Sequence, residues 1–384
     1  MNLKKNNILN GLSAILQSKI NRIYNKPIKP KVIAYSVTWR CNAKCPMCGL
    51  QSMDNTLKDP SQELNAEEIA KAFSDKALNS LDLIRFTGGE PFLKNDFTEI
   101  VDAIRKNADP KIFYITTNGS FPGKIRDFLE FFKNKNINLN IQVSFDAPNK
   151  LNDKIRGIPG LYNKVIETLE ILKKAKESMP SLIAGVNQTI TRENLNEINP
   201  MNKLMKKLEL EHKIYIAVSS HESTILSGLR KSFEYKLASD LSEAEIIKLY
   251  SEIFNISNTK AKPKGITDVN YLWHLVEKFL WEGSKNRILK QGKITSIPCQ
   301  AAFLYFRLMP NGDVVPCTLK PVVLGNIKKE SFSDFWYSKK SDEFRKREVK
   351  ACSGCWVECD IVSNFVYSPS ILKSFLGSLL FGKH

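Results

Sequence analysis

Three cysteines stand at C-x3-C-x2-C spacing in Cys41-Asn42-Ala43-Lys44-Cys45-Pro46-Met47-Cys48. They follow closely on an apolar, β-branched run, Val32–Val37. Thiolates are soft ligands that select iron–sulfur clusters or zinc. A structural site of either kind usually takes four protein ligands. Three close thiols therefore suggest a metal centre with one position open to a substrate, or a zinc loop that borrows a fourth ligand from elsewhere. Five more cysteines lie near the C-terminus: Cys299, Cys317, Cys352, Cys355 and Cys359. The first two frame Pro310–Pro316 in the pattern C-x12-G-x4-C, and the last three read C-x2-C-x3-C.

Other motifs carry groups able to hold a small polar ligand. Thr87-Gly88-Gly89-Glu90-Pro91 pairs two glycines, which let a backbone approach a ligand closely, with an acid that suits an ammonium group. Thr116-Thr117-Asn118-Gly119 and Ser144-Phe145-Asp146 are polar sequences at the ends of apolar runs. Arg156, in Ile155-Arg156-Gly157, can pair with a carboxylate in bidentate fashion.

The elements that would position these groups alternate. Strand candidates are Val32–Val37, Leu83–Thr87, Ile112–Thr116, Leu139–Phe145, Ala184–Ile190 and Ile214–Val218. Helix-period segments lie between them at Asn65–Leu78, Asp96–Lys106, Lys124–Lys133, Leu161–Ala175 and Leu195–Leu208. Six βα repeats imply an α/β fold with a parallel sheet and outer helices. The motifs above fall at the carboxyl ends of the strands, where parallel sheets gather ligands. Residues 1–30 read as a basic amphipathic extension, ended by Pro27 and Pro30. Residues 31–225 form the core, 226–290 a helical connector, 291–365 a cysteine-bearing module and 366–384 an amphipathic tail. In the connector Trp273, His274 and Trp281 read as core or lid residues rather than ligands. Asn311-Gly312 predicts a tight hairpin turn.

The cysteine loop, GGEP, TNG and S-x-D motifs together resemble the radical SAM superfamily. The resemblance implies a partial (β/α)6 TIM-like barrel and a [4Fe-4S] cluster on Cys41, Cys45 and Cys48. Its open iron would bind S-adenosylmethionine, contacted by Gly88, Gly89, Glu90, Asn118, Ser144, Asp146 and Arg156. Met47 is a weaker candidate near the adenine, and Asn187, Thr189, Ala217 and Ser219 are weaker barrel candidates. The C-terminal cysteines resemble a SPASM or twitch domain, a small β-hairpin and helix module that carries auxiliary clusters. Cys299, Cys317, Cys352 and Cys355 would hold one auxiliary [4Fe-4S] cluster, with Cys359 spare or a substitute. Five cysteines instead of the seven of a full SPASM pattern favour one auxiliary cluster. Thr318 stands where sulfatase-maturing relatives place a catalytic Asp, which argues against formylglycine formation. The implied reaction is reductive cleavage of S-adenosylmethionine to a 5′-deoxyadenosyl radical that takes hydrogen from a C–H bond. A reductant such as flavodoxin or ferredoxin is then expected.

Composition bounds the partners. The 384 residues carry a net charge of +17, and no Asp or Glu precedes Asp54. Such asymmetry suits an anionic partner, or reflects a lysine-rich proteome. The substrate expected is a peptide, or a lipid-linked or other anionic small molecule, with peripheral contact to an anionic membrane through the two basic ends. No run of about 18 apolar residues is present. Met1–Lys19 lacks the pattern of a secretory signal. C-x2-C spacings without one favour metal over disulfide and a reducing, cytoplasmic setting. The competing class is a zinc-bearing protein that binds nucleic acid or a membrane surface without catalysis. It accounts for thiols and charge but not for three motifs at successive strand ends, so nucleic acid is not the expected partner.

Overall fold

The computed structural model describes residues 16, 20, 23–24, 26–217, 241–258, 269–289, 297–320, 322–352, 356 and 358–370. The chain divides into two compact units. One comprises residues 29–240 and 306–335; the other comprises 1–28, 241–305 and 336–384.

Six parallel strands build the first unit: β1 (Val32–Thr38), β2 (Leu83–Gly88), β3 (Ile112–Thr117), β4 (Leu139–Ser144), β5 (Ile183–Ile190) and β6 (Glu211–Ile216). They lie in sequence order across the sheet, an open, partial (β/α)6 barrel. Between them run α1 (Ala66–Phe73), α2 (Phe97–Asn107), α3 (Pro122–Phe132), α4 (Leu151–Arg156), α5 (Leu161–Ser178) and α6 (Ile198–Leu208). Local signals explain the boundaries. Asn65 and Glu68 form a capping box that starts α1. That helix stops at Phe73, short of the expected Leu78, because Asp75 caps a separate 3₁₀ turn over Lys76–Leu78. Pro122 opens α3 at a position that needs no N–H donor.

Alternation along the strands sorts the two faces. Ile84, Phe86, Phe113, Ile115, Ile141 and Val143 are fully buried. Phe86 packs on Phe97 and Phe113, and Phe97 stacks on Phe128, so the helices are fastened to the sheet by aromatic contacts. The opposite face carries Arg85, Tyr114, Thr116, Ser144, Asn187, Thr189 and Lys213, all half-buried. Polar residues thus line the barrel interior.

Beyond β1 the sheet continues through β7 (Tyr305–Leu308), β8 (Asp313–Val315) and β9 (Gly325–Asn326), the last two pairs being antiparallel. The hairpin expected at Asn311-Gly312 is present. Its loop is four residues long, Gly312 has φ 89° and its N–H donates to Met309 O at 3.0 Å. The first unit also carries nearly all of α9 (Phe332–Trp336), while the second holds α7 (Glu243–Asn258), α8 (Val269–Ile288), α10 (Lys339–Phe344) and α11 (Glu358–Val366). Trp281, half-buried, meets Phe254 edge-on in this helical packing. Arg345, fully buried, donates to Ala302 O and Trp336 O and pairs with Asp342. The expected amphipathic extension over 1–30 is described only at its end, where Leu16, Ile20 and Ile23 are helical and exposed. The tail over 371–384, Ser219 and the Trp273 side chain lie outside the described residues. Among the described residues no helix is long and apolar enough to cross a membrane.

Candidate iron–sulfur and S-adenosylmethionine site

The cysteine loop leaves the end of β1 and is fastened to the Gly88-Gly89-Glu90 turn that leaves β2. Gly89 N–H donates to Thr38 O at 2.6 Å, and Glu90 N–H donates to Arg40 O at 2.9 Å. A Cβ at Gly88 would run into Thr38 O, and one at Gly89 into the Arg40 carbonyl. Gly88 also has φ +117°, a region that L side chains rarely adopt. The glycines therefore allow two backbones to close on each other. This is a different reason from the ligand approach expected from sequence, and it rigidifies the base of the cysteine loop.

Glu90 is buried at 1% exposure. Its carboxylate accepts from Thr117 Oγ1 at 2.7 Å, Asn118 N at 2.6 Å and Phe92 N at 3.2 Å. Burial nevertheless outweighs these bonds and pushes its pKa up to about 7. Glu90 thus clamps the end of β3 to the end of β2. Asn118 extends the chain of contacts: its Nδ2 donates to Asn42 Oδ1 at 2.8 Å and lies 4.0 Å from Cys41 Sγ. Asn42 Nδ2 in turn donates to Ser120 Oγ at 3.0 Å.

On the other side Asp146, fully buried just beyond β4, forms a two-pronged pair with Arg156. Arg156 Nε lies 2.7 Å from Asp146 Oδ2, and Nη2 donates to Oδ1 at 2.8 Å. Thr189 N–H also donates to Asp146 Oδ1 at 2.8 Å, and Asn152 Oδ1 accepts from Asp146 N. Arg156 Nη1 reaches Cys45 Sγ at 3.8 Å, while Arg156 O accepts from Lys44 N at 2.8 Å. Gly157, at φ +63°, presses against Lys44. The carboxylate partner of Arg156 is therefore Asp146, and the pair buttresses the cysteine loop. Ser144 sits at the end of β4 in register with Asn187.

The thiols themselves are poorly solvated. Burial pushes Cys41 up to about 12, and it raises Cys45 against the opposing pull of Arg156. Cys48 and Cys45 add to the rise at Cys41, and Cys48 to that at Cys45, through like-charge repulsion. Cys41 and Cys45, which resist ionisation, need a strong cation to become ligands, and a metal cluster supplies one. A single zinc would need sulfurs roughly 3.8 Å apart, from a Zn–S bond of about 2.3 Å in tetrahedral geometry. Among the described residues no three His, Cys, Asp or Glu side chains are gathered to hold a single ion. A cluster that takes one thiolate per iron could be held by these three cysteines with one iron left open.

Sequence reasoning missed the support behind the loop. Glu63 is buried and pairs with Arg40 at 3.1 Å and Lys94 at 3.2 Å; it also accepts from Thr38 Oγ1. Trp39, Leu50 and Met53 pack with Met309 and Val315 of the hairpin, against Cys41 and Cys48. Residues drawn from positions as far apart as Trp39 and Val315 carry no spacing signal.

Of the C-terminal cysteines, Cys299 is half-buried, with Ala301 N at 3.5 Å and Tyr305 Oη at 3.7 Å from its sulfur. Burial pushes its pKa up, against those two contacts. Cys317 is half-buried and Cys352 exposed. Cys355 and the Cys359 side chain lie outside the described residues. Thr318 Oγ1 accepts from Arg307 Nη1 at 3.0 Å.

Comparison with known proteins agrees with this geometry. Residues 35–197 match the radical SAM superfamily, and residues 299–356 match the SPASM iron–sulfur cluster-binding domain. The chain is similar to an AdoMet-dependent heme synthase of Methanosarcina barkeri, 24% identical over 85% of this chain and 91% of the other. It is also similar to the antilisterial bacteriocin subtilosin biosynthesis protein AlbA of Bacillus subtilis, 24% identical over 80% of this chain and 60% of that protein. Among solved structures, Streptococcus suis SuiB bound to S-adenosylmethionine overlays with TM-score 0.57 at 15% identity, covering 85% of this chain and 70% of SuiB. Native anSMEcpe with bound AdoMet overlays at 0.58 and 17% identity, covering 90% and 100%. These structural likenesses establish the fold. With one family match that takes in Cys41, Cys45 and Cys48 and another that takes in Cys299, Cys317, Cys352 and Cys355, the chain is a radical SAM enzyme that has a C-terminal SPASM domain and uses [4Fe-4S] clusters and S-adenosylmethionine.

Proposed function

We propose that Cys41, Cys45 and Cys48 hold the cluster that binds S-adenosylmethionine, and that the enzyme abstracts hydrogen from a C–H bond of a peptide. When bound, the cluster supplies one electron to cleave S-adenosylmethionine, and the 5′-deoxyadenosyl radical released removes the hydrogen atom. The chain's own part is positional. Arg156 and Asp146 hold the loop at Cys45, and Asn118 with Asn42 holds it at Cys41. Glu90 ties the two strand ends together. Gly88, Gly89, Ser144 and Asp146 line up along the carboxyl edge of the sheet, where S-adenosylmethionine would rest. Cys299, Cys317, Cys352 and Cys355, with Cys359 in reserve, would hold an auxiliary cluster. The observation that carries the reading is the junction of three motif loops on the cysteine loop through Glu90, Asn118 and Arg156.

A peptide substrate is favoured by the bacteriocin-biosynthesis relative and by the fold shared with SuiB bound to precursor peptide SuiA and anSMEcpe with the Cp18Cys peptide. The test adds fractions of host extract to the reduced enzyme and follows 5′-deoxyadenosine. Stimulation that protease treatment destroys supports a peptide; stimulation that survives it refutes one. A second reading, peripheral contact with an anionic membrane, draws on the exposed apolar positions Leu16, Ile20 and Ile23. Liposome flotation of the chain with and without residues 1–26 and 371–384 decides it, and no flotation of either form ends it.

A further inference from the structure

Burying a carboxylate costs free energy unless cations and hydrogen bonds answer it. Among the described residues of the first unit, Glu63, Glu90, Asp102 and Asp146 are the buried acids. Glu90 and Asp146 clamp the strand ends around the cysteine loop, and Asp102 answers Arg105, Lys106 and Lys135 beside the outer helices. Glu63 has a different setting. Its side chain is 3% exposed and accepts from Arg40 in two-pronged fashion, Nη2 at 3.1 Å and Nε at 3.3 Å. Lys94 Nζ approaches it at 3.2 Å and also reaches Asp96 at 3.2 Å. Thr38 Oγ1 donates to Glu63 Oε1 and accepts from Arg40 N at 3.0 Å. Backbone and side chain of Arg40, the residue before Cys41, thus converge on one carboxylate.

The same carboxylate reaches the other parts that meet at the cysteine loop. Lys94 closes the short 3₁₀ turn over Pro91–Leu93 that Glu90 caps. The residues on either side of Glu63 bind the β7–β8 hairpin and the segment that follows it. Leu64 N–H donates to Pro310 O at 2.7 Å, and Lys328 Nζ donates to Gln62 O at 3.0 Å. Buried ion clusters are weak sources of stability, since apolar side chains of similar volume often do as well. A charge one contact behind a metal ligand has another use: it orients the ligand and tunes the metal.

We propose that Glu63 is a positioning residue for the cluster that binds S-adenosylmethionine. Through Arg40 and Thr38 it fixes the backbone that enters Cys41, and its negative charge behind that cysteine holds the cluster's reduction potential down. Removing the charge leaves Arg40 without its carboxylate and Lys94 with Asp96 alone. The added positive charge then favours the reduced cluster, which gives up its electron less readily. The inference rests on the reading above that Cys41, Cys45 and Cys48 hold this cluster, and it names a residue that sets the cluster's reactivity without touching it.

The test is a redox titration of the anaerobic, iron-loaded chain, read by the electron paramagnetic resonance signal that changes when S-adenosylmethionine is added. Wild type is compared with Glu63→Gln, Glu63→Asp and a matched control, Asp102→Asn, which strips a buried carboxylate from cations on the outer helices. The midpoint potential of Glu63→Gln should be more positive than that of wild type, and its 5′-deoxyadenosine formation slower by at least about tenfold. Glu63→Asp keeps the charge and should recover most of both changes. Asp102→Asn should lose stability and keep the potential and spectrum of wild type. If Glu63→Gln does not fold, Thr38→Val carries the comparison, since it cuts the link from the carboxylate to Arg40 N–H and should alter the signal. A potential and spectrum unmoved by Glu63→Gln, or an equal shift in Asp102→Asn, overturns the inference, as does an unaltered signal in Thr38→Val. Wild type with no signal that responds to S-adenosylmethionine would overturn the cluster reading and the inference together; a normal wild-type signal that Glu63→Gln leaves unmoved strikes the inference alone.

Discussion

Replacing Arg156 by Gln should show how much the cysteine loop depends on its buried clamp. Asp146 is fully buried and Arg156 is 11% exposed, so solvent screens the pair little. The substitution removes the contacts at 2.7 and 2.8 Å and leaves the Asp146 charge without its cation. Breaking a buried pair in this way costs about 3–5 kcal/mol. That is roughly a thousandfold in the folding equilibrium, at about 1.4 kcal/mol per tenfold. Asp146→Asn/Arg156→Gln removes both charges and should recover most of the loss, because the uncompensated carboxylate is gone. Urea unfolding of the anaerobic apo chain at pH 7 measures each variant. A loss below about 1 kcal/mol for Arg156→Gln, or a double variant no more stable than the single one, would refute the clamp. Iron loading adds a second reading: Arg156→Gln should load less iron, since Cys45 loses its cationic neighbour.

Three other outcomes follow from the geometry. Gly89→Ala forces a methyl onto the Arg40 carbonyl and should cost about 1–3 kcal/mol by overpacking. Iron per chain should fall with it, and normal loading would show that the turn need not close on the loop. The Glu90 pKa near 7 lies above the ordinary 4.5, so between those values the folded state keeps a proton that the unfolded state has lost. Stability should therefore fall as pH rises through that window, by about 3 kcal/mol in all, and Glu90→Gln should flatten the decline in urea titrations across pH. Cys317→Ala should remove about four irons per chain, the content of one [4Fe-4S] cluster; an unchanged count rejects Cys317 as a ligand.

The alternating apolar runs made the six strands and five helices legible, because period-two and period-3.6 patterns survive wherever one face is buried. Glu90, Asn118 and Asp146 were legible as polar residues at strand ends, and Arg156 as a cation able to pair with a carboxylate. Their partners were not. The sequence offers Arg156 a carboxylate of unknown origin; only the fold shows that Asp146 fills that place. Likewise the two glycines of the GGE turn suggest closeness to something, and the structure supplies the Arg40 carbonyl. Along the inner face Asn187 and Thr189 read as weaker candidates, whereas Tyr114 and Lys213 did not stand out, because each such residue, taken alone, is ordinary in a strand. Glu63 and Trp39 had no local signal, since their roles depend on contacts made across the fold.

The measurement that bears most directly on the account is anaerobic reconstitution with iron and sulfide, then reduction with dithionite in the presence of S-adenosylmethionine. Iron per chain and 5′-deoxyadenosine are read for wild type and Cys45→Ala. The account expects about eight irons in wild type, two [4Fe-4S] clusters, with 5′-deoxyadenosine formed by wild type and absent in Cys45→Ala. Zinc in place of iron with S-adenosylmethionine intact, or 5′-deoxyadenosine still formed by Cys45→Ala, would contradict it.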